Sequence, residues 1–204
     1  MSKSLSAIFP IILGLLLSKA IADHIGRSLA PDGARYGDVL ILEGGDGVDK
    51  RLLIEAAQEM RSLPAPRLVI VIHQDAKLAT DKVNSASKLE MQVHQLGLHD
   101  DQFTVLRTPR THPITLNEAS VVLNKLSAEG VRSAVLMTDG FHERRSYLVY
   151  KQVGIPLGIS LTACTGFLEY TRDNWWMTSV GWREFLEEVT KTSYYYTRGY
   201  LRLS

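Results

Sequence analysis

Apolar runs alternate with segments of helical spacing along most of this chain. The runs carry consecutive apolar residues rather than an apolar–polar alternation, which predicts strands that are covered on both faces. We predict these strands at residues 39–42, 67–72, 103–106, 133–137 and 156–162. Between them, helices are predicted at residues 48–62, 81–96, 116–128 and 142–152. This order predicts right-handed crossovers, and therefore a mainly parallel five-stranded sheet in a three-layer α/β/α, Rossmann-like fold.

The C-terminal part has a different pattern, since aromatic residues frame a stretch of mixed charges. Residues 174–176 (NWW) open this stretch, and residues 194–196 (YYY) close it. We predict a helix that packs its aromatic side chains on the edge of the domain. A membrane interface is the alternative location for so many tryptophan and tyrosine side chains.

The N-terminus has the order of a secretory leader. Lys3 precedes an apolar run at residues 7–17 (AIFPIILGLLL), and the small residues Ala20 and Ala22 follow it. This order predicts cleavage after Ala22, whereas an uncleaved run would be a short anchor. We therefore expect residues 1–22 to be a signal peptide or N-terminal membrane anchor, residues 23–35 a linker, and residues 36–204 one α/β domain. A buried core helix is the alternative for the apolar run.

Composition narrows the function classes only slightly. The 204 residues carry a formal net charge of +1, and no basic field predicts nucleic-acid binding. Cys164 is the single cysteine, so an internal disulfide is excluded and no zinc-type spacing occurs. No short-spaced ligand pattern predicts a metal site either. The residues name no cofactor and leave the oligomeric state open.

Ligands of open parallel sheets bind beyond the carboxyl ends of the strands, so the residues at those ends are the candidates. Glu43, Gly44 and Gly45 follow the first predicted strand. The two glycines would let backbone N–H groups approach a phosphate at a helix start, and Arg51 would reach the anion from one turn into that helix. The alternatives are a tight strand-to-helix turn and a solvated arginine.

The segment at residues 138–145 (TDGFHERR) follows the fourth predicted strand. His142 and Arg145 are three residues apart, so they share one face of the helix, and we expect them to converge on an anion. His142 would also act as a general acid or base. Thr138 and Asp139 are further candidates for ligand contact. The alternative is an ordinary helix start with Thr138 or Asp139 as its N-cap.

Residues 115–118 (TLNE) fit a capping box, with Thr115 as the N-cap and Glu118 at the third helical position. A helix start at the carboxyl edge of the sheet also lies near a cleft. We therefore take Thr115 as a candidate for ligand binding and Glu118 as a candidate catalytic residue. All these residues are expected to meet in one crevice.

Several of these motifs occur in the order that is typical of a known bacterial family. The matching residues are 38–45, Arg51, Thr115, Glu118, Thr138, His142, Arg145 and the closing Glu188-x-x-Lys191-x-x-Tyr194-Tyr195. Over residues 36–200 the chain resembles the YdcF/SanA/ElyC group of proteins. It departs from that group at residues 73–75, where His-Gln-Asp stands for Ser-Gly-Gly, and at Asn117-Glu118, where the order of the two side chains is reversed.

The resemblance implies a Rossmann-like domain that is often held by an N-terminal membrane segment and is linked to biogenesis of the cell envelope. It also implies S-adenosylmethionine as a ligand of some members, although an exported domain would seldom meet this cytosolic metabolite. We expect this protein to be exported, either periplasmic or anchored in the inner membrane with its domain outside the cytoplasm.

The leading hypothesis is an envelope protein that binds, and hydrolyses or transfers part of, a phosphorylated or lipid-linked envelope precursor. His142 would move the proton, and Arg145 and Arg51 would hold the anion. The partners would be a small anionic or lipid-linked ligand and, through the N-terminus, the membrane. The alternatives are a non-catalytic regulator of envelope biogenesis and a cytosolic protein that binds S-adenosylmethionine or a nucleotide.

Overall fold

The computed structural model describes residues 17–33, 35–64, 67–74 and 86–202. Its strands are β1 (Val39–Gly45), β2 (Leu68–His73), β3 (Phe103–Thr108), β4 (Ser133–Asp139) and β5 (Ser160–Gly166). The helices are α1 (residues 17–29), α2 (Lys50–Met60), α3 (Ala86–Gln95), α4 (Ile114–Ala128), α5 (His142–Gly154) and α6 (Ser179–Thr197). The five strands form one all-parallel sheet in the order β3-β2-β1-β4-β5. The predicted Rossmann-like α/β fold is therefore confirmed.

Two apolar clusters cover the two faces of the sheet, which explains why the strands read as unbroken apolar runs. Leu40 and Leu42 point into the cluster that α2 and α3 complete, whereas Val39 and Ile41 point into the cluster formed with α4 and α5. Successive side chains of a strand point to opposite faces, so a strand between two helical layers must be apolar at every position.

The strand order places a crevice at the centre of the sheet. From β1 the chain first adds β2 and β3 on one side, and then crosses back to add β4 and β5 on the other. The loops after β1 and β4 consequently leave the sheet in opposite directions and part from each other. Such a switch point is where parallel sheets of this kind bind ligands, and here the loops after Gly45 and Asp139 flank it.

The fifth strand begins later than predicted. Residues 156–162 were expected to be extended, but Pro156 lies in a short 3-10 helix (Ile155–Leu157), and β5 starts at Ser160. Proline has no N–H to donate to a strand ladder and its φ suits a helical turn. The prediction was wrong at this end because it took apolar residues on both sides of Gly158 as one run.

The segment expected to be a linker at residues 23–35 is helical as far as residue 29. Ala22 and Ala30 are buried against Phe141, Tyr170 and Trp175, and the indole Nε1 of Trp175 donates to the Ala22 carbonyl at 3.0 Å. The chain thus packs on the domain directly after the expected cleavage position.

Most of the expected leader, including residues 7–16 of its apolar run, lies outside the described residues. Within residues 17–33, 35–64, 67–74 and 86–202, no helix combines the length and the hydropathy needed to cross a membrane.

The predicted C-terminal helix is present as α6 and packs aromatic residues against the domain. Trp175, at the turn before it, and Tyr195, near its end, are both buried. Trp175 lies against the rings of Phe141, Phe185 and Trp182, at centroid distances of 5.4, 5.0 and 5.1 Å. This cluster joins α1, α6 and the start of α5 at one side of the crevice.

Candidate functional site

A cleft of about 940 Å³ opens at the carboxyl edge of the sheet, between the strand ends and α6. Seven of the ten residues singled out from the sequence line it. They are Glu43, Gly44, Gly45, Thr115, Asp139, His142 and Arg145. The expectation that the residues after different strands meet in one crevice is confirmed for these seven.

The other three candidates do not line the cleft. Arg51 lies on the outer side of α2, where its guanidinium binds Asp49 and Glu169 at 3.3 and 2.9 Å. Thr138 and Glu118 are buried beneath the cleft surface, with 0% and 1% exposure. The structure therefore gives no direct ligand contact to these side chains, and Glu118 can act on a ligand only through other residues.

His142 is the side chain through which a buried polar cluster reaches the cleft. Its ring is 31% exposed, whereas Glu43 and Arg145 beside it are only 5% and 6% exposed. The Nε2 atom lies 3.3 Å from Glu43 Oε1 and 3.0 Å from Ser146 Oγ. Arg145 Nη2 donates to Nδ1 at 2.7 Å. The ring is therefore held from both sides while one edge faces the cleft.

The neighbours of His142 make opposite demands on its protonation. Arg145 requires a lone pair on Nδ1, while the carboxylates favour a positively charged ring. Burial is the largest single effect and disfavours the charge, as Arg145 does, but Glu43 and Glu188 together outweigh these effects and the pKa of His142 rises to about 9. In return, the positive ring overcomes burial and lowers the pKa of Glu43 to about 2.

Arg145 is occupied by protein groups rather than free to hold an anion. Its Nε and Nη2 donate to Glu188 at 2.8 and 3.2 Å, and its Nη1 donates to Thr115 Oγ1 at 2.6 Å. Burial opposes ionisation of Glu188, but the hydrogen bonds and charges of His142 and Arg145 hold its pKa well below the usual range. The expected helical face shared by His142 and Arg145 exists, yet its arginine is neutralised by α6.

Thr115 does not cap α4, contrary to the expected capping box. The N-cap is Pro113, whose side chain makes no capping hydrogen bond. The Thr115 N–H instead donates to the Tyr195 hydroxyl at 3.2 Å, and the Thr115 hydroxyl accepts from Arg145. Because α6 supplies the partner for the free N–H, the threonine hydroxyl is available to the buried cluster. This tertiary contact could not be read from residues 115–118.

The glycine-rich loop after β1 forms a tight strand-to-helix turn and not an open phosphate-binding loop. A Cβ at Gly44 would lie 2.5 Å from Val48 Cγ2, so only glycine fits there. One of the N–H groups in the first turn of α2, that of Arg51, donates to the Asp49 carboxylate at 2.7 Å. Since the carboxylate of Asp49 already caps this helix start, a phosphate at the same position would meet a like charge.

The start of α5 is fixed by residues other than Thr138 and Asp139, so the alternative in which one of them is the N-cap is not what the structure has. The N-cap is Phe141, whose N–H donates to the Tyr170 hydroxyl at 3.0 Å. Gly140 has φ of +58°, and a Cβ there would overlap that hydroxyl. Burial raises the pKa of Glu143 well above its usual range, and its Oε2 accepts from the Thr138 N–H at 2.8 Å.

His73 and Asp46, which are not among the ten residues singled out from the sequence, form a second polar group on the cleft floor. The His73 Nδ1 atom lies 2.9 Å from Asp46 Oδ1. Its Nε2 atom lies 3.0 Å from Glu118 Oε2, although the ring N–H is not aimed directly at that oxygen. Hydrogen bonds to Glu118 and Asp46 outweigh burial and raise the pKa of His73. Burial and the charge of Glu43 raise the pKa of Glu118 to about 7.

The chain matches no protein-family model, and no curated protein matches it. Its function is therefore inferred from the chemistry of the cleft.

The mouth of the cleft comes from α6 and the loop before α4, which the sequence reasoning largely missed. The lining residues there include Arg110, Arg183, Glu184, Glu187 and Lys191. A helical face at positions 184, 187, 188 and 191 was the available signal, because these positions recur at intervals of three and four residues. Seven Asp or Glu and four Lys or Arg side chains line the cleft, so it suits a ligand with hydroxyl groups beside a phosphate better than a bare anion.

Proposed function

We propose that this protein is a cell-envelope protein that binds a phosphorylated, lipid-linked precursor in the cleft and hydrolyses or transfers its phosphorylated part. His142 moves the proton in that reaction. The observation that carries the proposal is that His142 faces the cleft with a third of its ring while carboxylates and an arginine fix the ring from behind. A proton donor that is oriented by buried partners and exposed at one edge is an arrangement that general acid catalysis needs.

The charges at the cleft mouth support a ligand that combines phosphate with hydroxyl groups. Arg110, Arg183 and Lys191 supply cations for a phosphate. Arg110 pairs with Asp46, and Lys191 pairs with Glu187 and Glu188. Both cations are about half exposed, unlike Arg145, and so stay accessible from the cleft. The carboxylates of Glu184 and Glu187 are acceptors for sugar hydroxyl groups on the same wall. The resemblance to an envelope-associated family and the leader-like N-terminus support an envelope precursor as the source of such a ligand.

Release of inorganic phosphate from farnesyl diphosphate, a soluble lipid diphosphate, tests the catalytic role of His142. We expect His142→Asn to lower kcat/KM at least about 100-fold, because asparagine keeps a hydrogen bond but cannot carry the proton. His94→Asn is the matched control, since His94 is an exposed histidine on α3 that pairs with Asp100, and it should retain wild-type turnover. Equal turnover in the wild type and His142→Asn would rule out this role.

A non-catalytic regulator is the second candidate, and one feature favours it. Arg145 joins three elements at the cleft floor, since it lies on α5 and binds Thr115 of α4 and Glu188 of α6. A ligand that disturbs this junction changes the packing of all three helices, as a sensor requires. Binding of farnesyl diphosphate without any release of phosphate would favour this second function over the first.

Fusion of alkaline phosphatase to the C-terminus tests the proposed location. We expect the fusion to be active in bacterial cells, because that enzyme requires the oxidising compartment outside the cytoplasm for its disulfides. The same fusion without residues 1–22 is the control and should be inactive. An inactive full-length fusion would instead support the cytosolic alternative that binds S-adenosylmethionine or a nucleotide.

A further inference from the structure

Two exposed polar groups on the cleft floor are joined by three buried ones. His142 is 31% exposed at one end, and Asp46 is 42% exposed at the other. The side chains between them are nearly inaccessible: Glu43 is 5%, Glu118 1% and His73 8% exposed. A row of titratable groups that is buried in the middle and open to one cleft at both ends has the form of a path for protons.

The row consists of three close contacts and one electrostatic link. His142 Nε2 lies 3.3 Å from Glu43 Oε1. Glu43 and Glu118 are linked through the charge of Glu43, which adds to burial in raising the pKa of Glu118. From Glu118 Oε2 the row continues over 3.0 Å to His73 Nε2, and from His73 Nδ1 over 2.9 Å to Asp46 Oδ1.

An unpartnered atom shows where a proton belongs in this row. Glu43 Oε2 is buried and, among the described residues, accepts no hydrogen bond from an N–H or hydroxyl donor. A buried carboxylate oxygen without a donor is costly, and a protonated Glu118 beside it supplies the missing donor. Glu118 is itself held by the hydroxyl groups of Tyr150 and Thr108, at 3.2 and 3.4 Å. The two glutamates therefore share one proton.

We propose that a buried relay connects His142 with Asp46, so that the cleft has two proton-handling ends instead of one. Its inner, positioning members are Glu43, Glu118 and His73. The relay deepens the proposed function and rests on it for its catalytic meaning, since it makes Asp46 the second acid–base group that would meet a ligand.

The transfers balance in protons. His142 Nε2 gives its proton to a leaving group, and Glu43 returns a proton to Nε2. At the other end Asp46 takes a proton from a nucleophile and passes it to His73 Nδ1, and His73 releases the proton on Nε2 to Glu118, which restores the proton that the two glutamates share. One proton enters at Asp46 and one leaves at His142, while each inner member gains one and loses one. No bond between heavy atoms changes and no other reactant is needed.

The charged and titratable groups that face the relay come from every element packed around it. They are Glu43 and Asp46 from β1 and its loop, His73 from β2, Arg110 before α4, Glu118 from α4, His142, Glu143, Arg145 and Tyr150 from α5, and Glu188 from α6.

Histidine ring resonances of the full chain, followed against pH by NMR, test the relay without a ligand. In the wild type we expect the curves of His73 and His142 each to show the inflection of the other, as coupled groups do. Glu118→Gln keeps the shape of the side chain but cannot carry the proton. We expect it to separate the two curves, because the amide cannot pass a proton between Glu43 and His73.

Glu129→Gln is the control, because Glu129 binds Lys125 and Arg67 away from the cleft and should leave both curves unchanged. Asp46→Asn is a second variant that alters an exposed side chain and so keeps the test available if Glu118→Gln fails to fold. It should lower the midpoint of His73 by about 1 pH unit and move the matching inflection of His142 with it. Uncoupled curves in the wild type, or a His142 curve that ignores Asp46→Asn, would overturn the relay.

Failure of the relay and failure of the proposed function give different results. Uncoupled histidines with wild-type release of phosphate from farnesyl diphosphate would overturn the relay alone. Coupled histidines without turnover would overturn the catalytic function and leave the relay in place. Where both hold, Asp46→Asn is expected to shift the pH profile of kcat while changing KM less than about twofold.

Discussion

Glu188→Ala is expected to lower the free energy of unfolding by about 3–5 kcal/mol, as removal of one partner from a buried ion pair does. The guanidinium of Arg145 is 6% exposed and donates hydrogen bonds to Glu188 at 2.8 and 3.2 Å. Without that carboxylate, the buried positive charge would keep, among the described residues, Thr115 and His142 as hydrogen-bond acceptors and the ring of Tyr195. Denaturant unfolding followed by circular dichroism measures the effect.

Glu187→Ala is the matched control, because Glu187 precedes Glu188 on α6 but is 52% exposed and has its ion pair, within the part of the chain that the structure describes, with Lys191. It should change the free energy of unfolding by less than about 0.5 kcal/mol. A double variant, Arg145→Met with Glu188→Leu, should recover much of the loss since it removes both buried charges. If Glu188→Ala proved as stable as Glu187→Ala, the buried ion pair would not hold α6 in place.

Trp175→Ala should lower the free energy of unfolding by about 3–5 kcal/mol, through the cavity it leaves. Trp175 is 2% exposed and contacts the rings of Phe141, Phe185 and Trp182. Its indole also donates to the Ala22 carbonyl of α1. Chemical denaturation gives the stability, and amide hydrogen exchange of residues 17–29 reports whether α1 has come loose.

Trp182→Ala is the control for this second effect, since Trp182 is 47% exposed and shares only the outer side of the cluster. It should cost about 1–2 kcal/mol, the value of its two aromatic contacts with Trp175 and Phe185, and leave exchange in α1 unchanged. Equal losses for the two tryptophans would mean that Trp175 does not anchor α1.

The parallel sheet could be predicted because a strand that is buried on both faces is apolar at consecutive positions of the sequence. Leu40 and Ile41 are neighbours that point to opposite faces, and both are buried. Only a strand between two helical layers requires that. The predicted start of the fifth strand at Pro156 was wrong, because a run of apolar residues does not show where a turn interrupts the run.

The position of the site could be predicted from the sequence, but the ion pairs formed by its side chains could not. His142 and Arg145 share a helical face by spacing alone, and strand order then places them at the crevice. Nothing local indicates that Glu188, 43 residues beyond Arg145, is the carboxylate that neutralises it. The sequence also does not distinguish a buried carboxyl such as Glu118 from an exposed one. Which charged side chains pair in the cleft, and which carboxyl groups are buried there, is therefore decided by tertiary packing.

The way α6 is attached has a consequence for how deeply a ligand can enter. Of the nineteen residues of this helix, only Gly181, Glu188 and Tyr195 are buried, and two of these three contact Arg145. A phosphate that reached Arg145 would have to displace Glu188 and so release the helix from its charged attachment. Arg145 can thus bind either an anion on the cleft floor or Glu188 of α6, but not both at once.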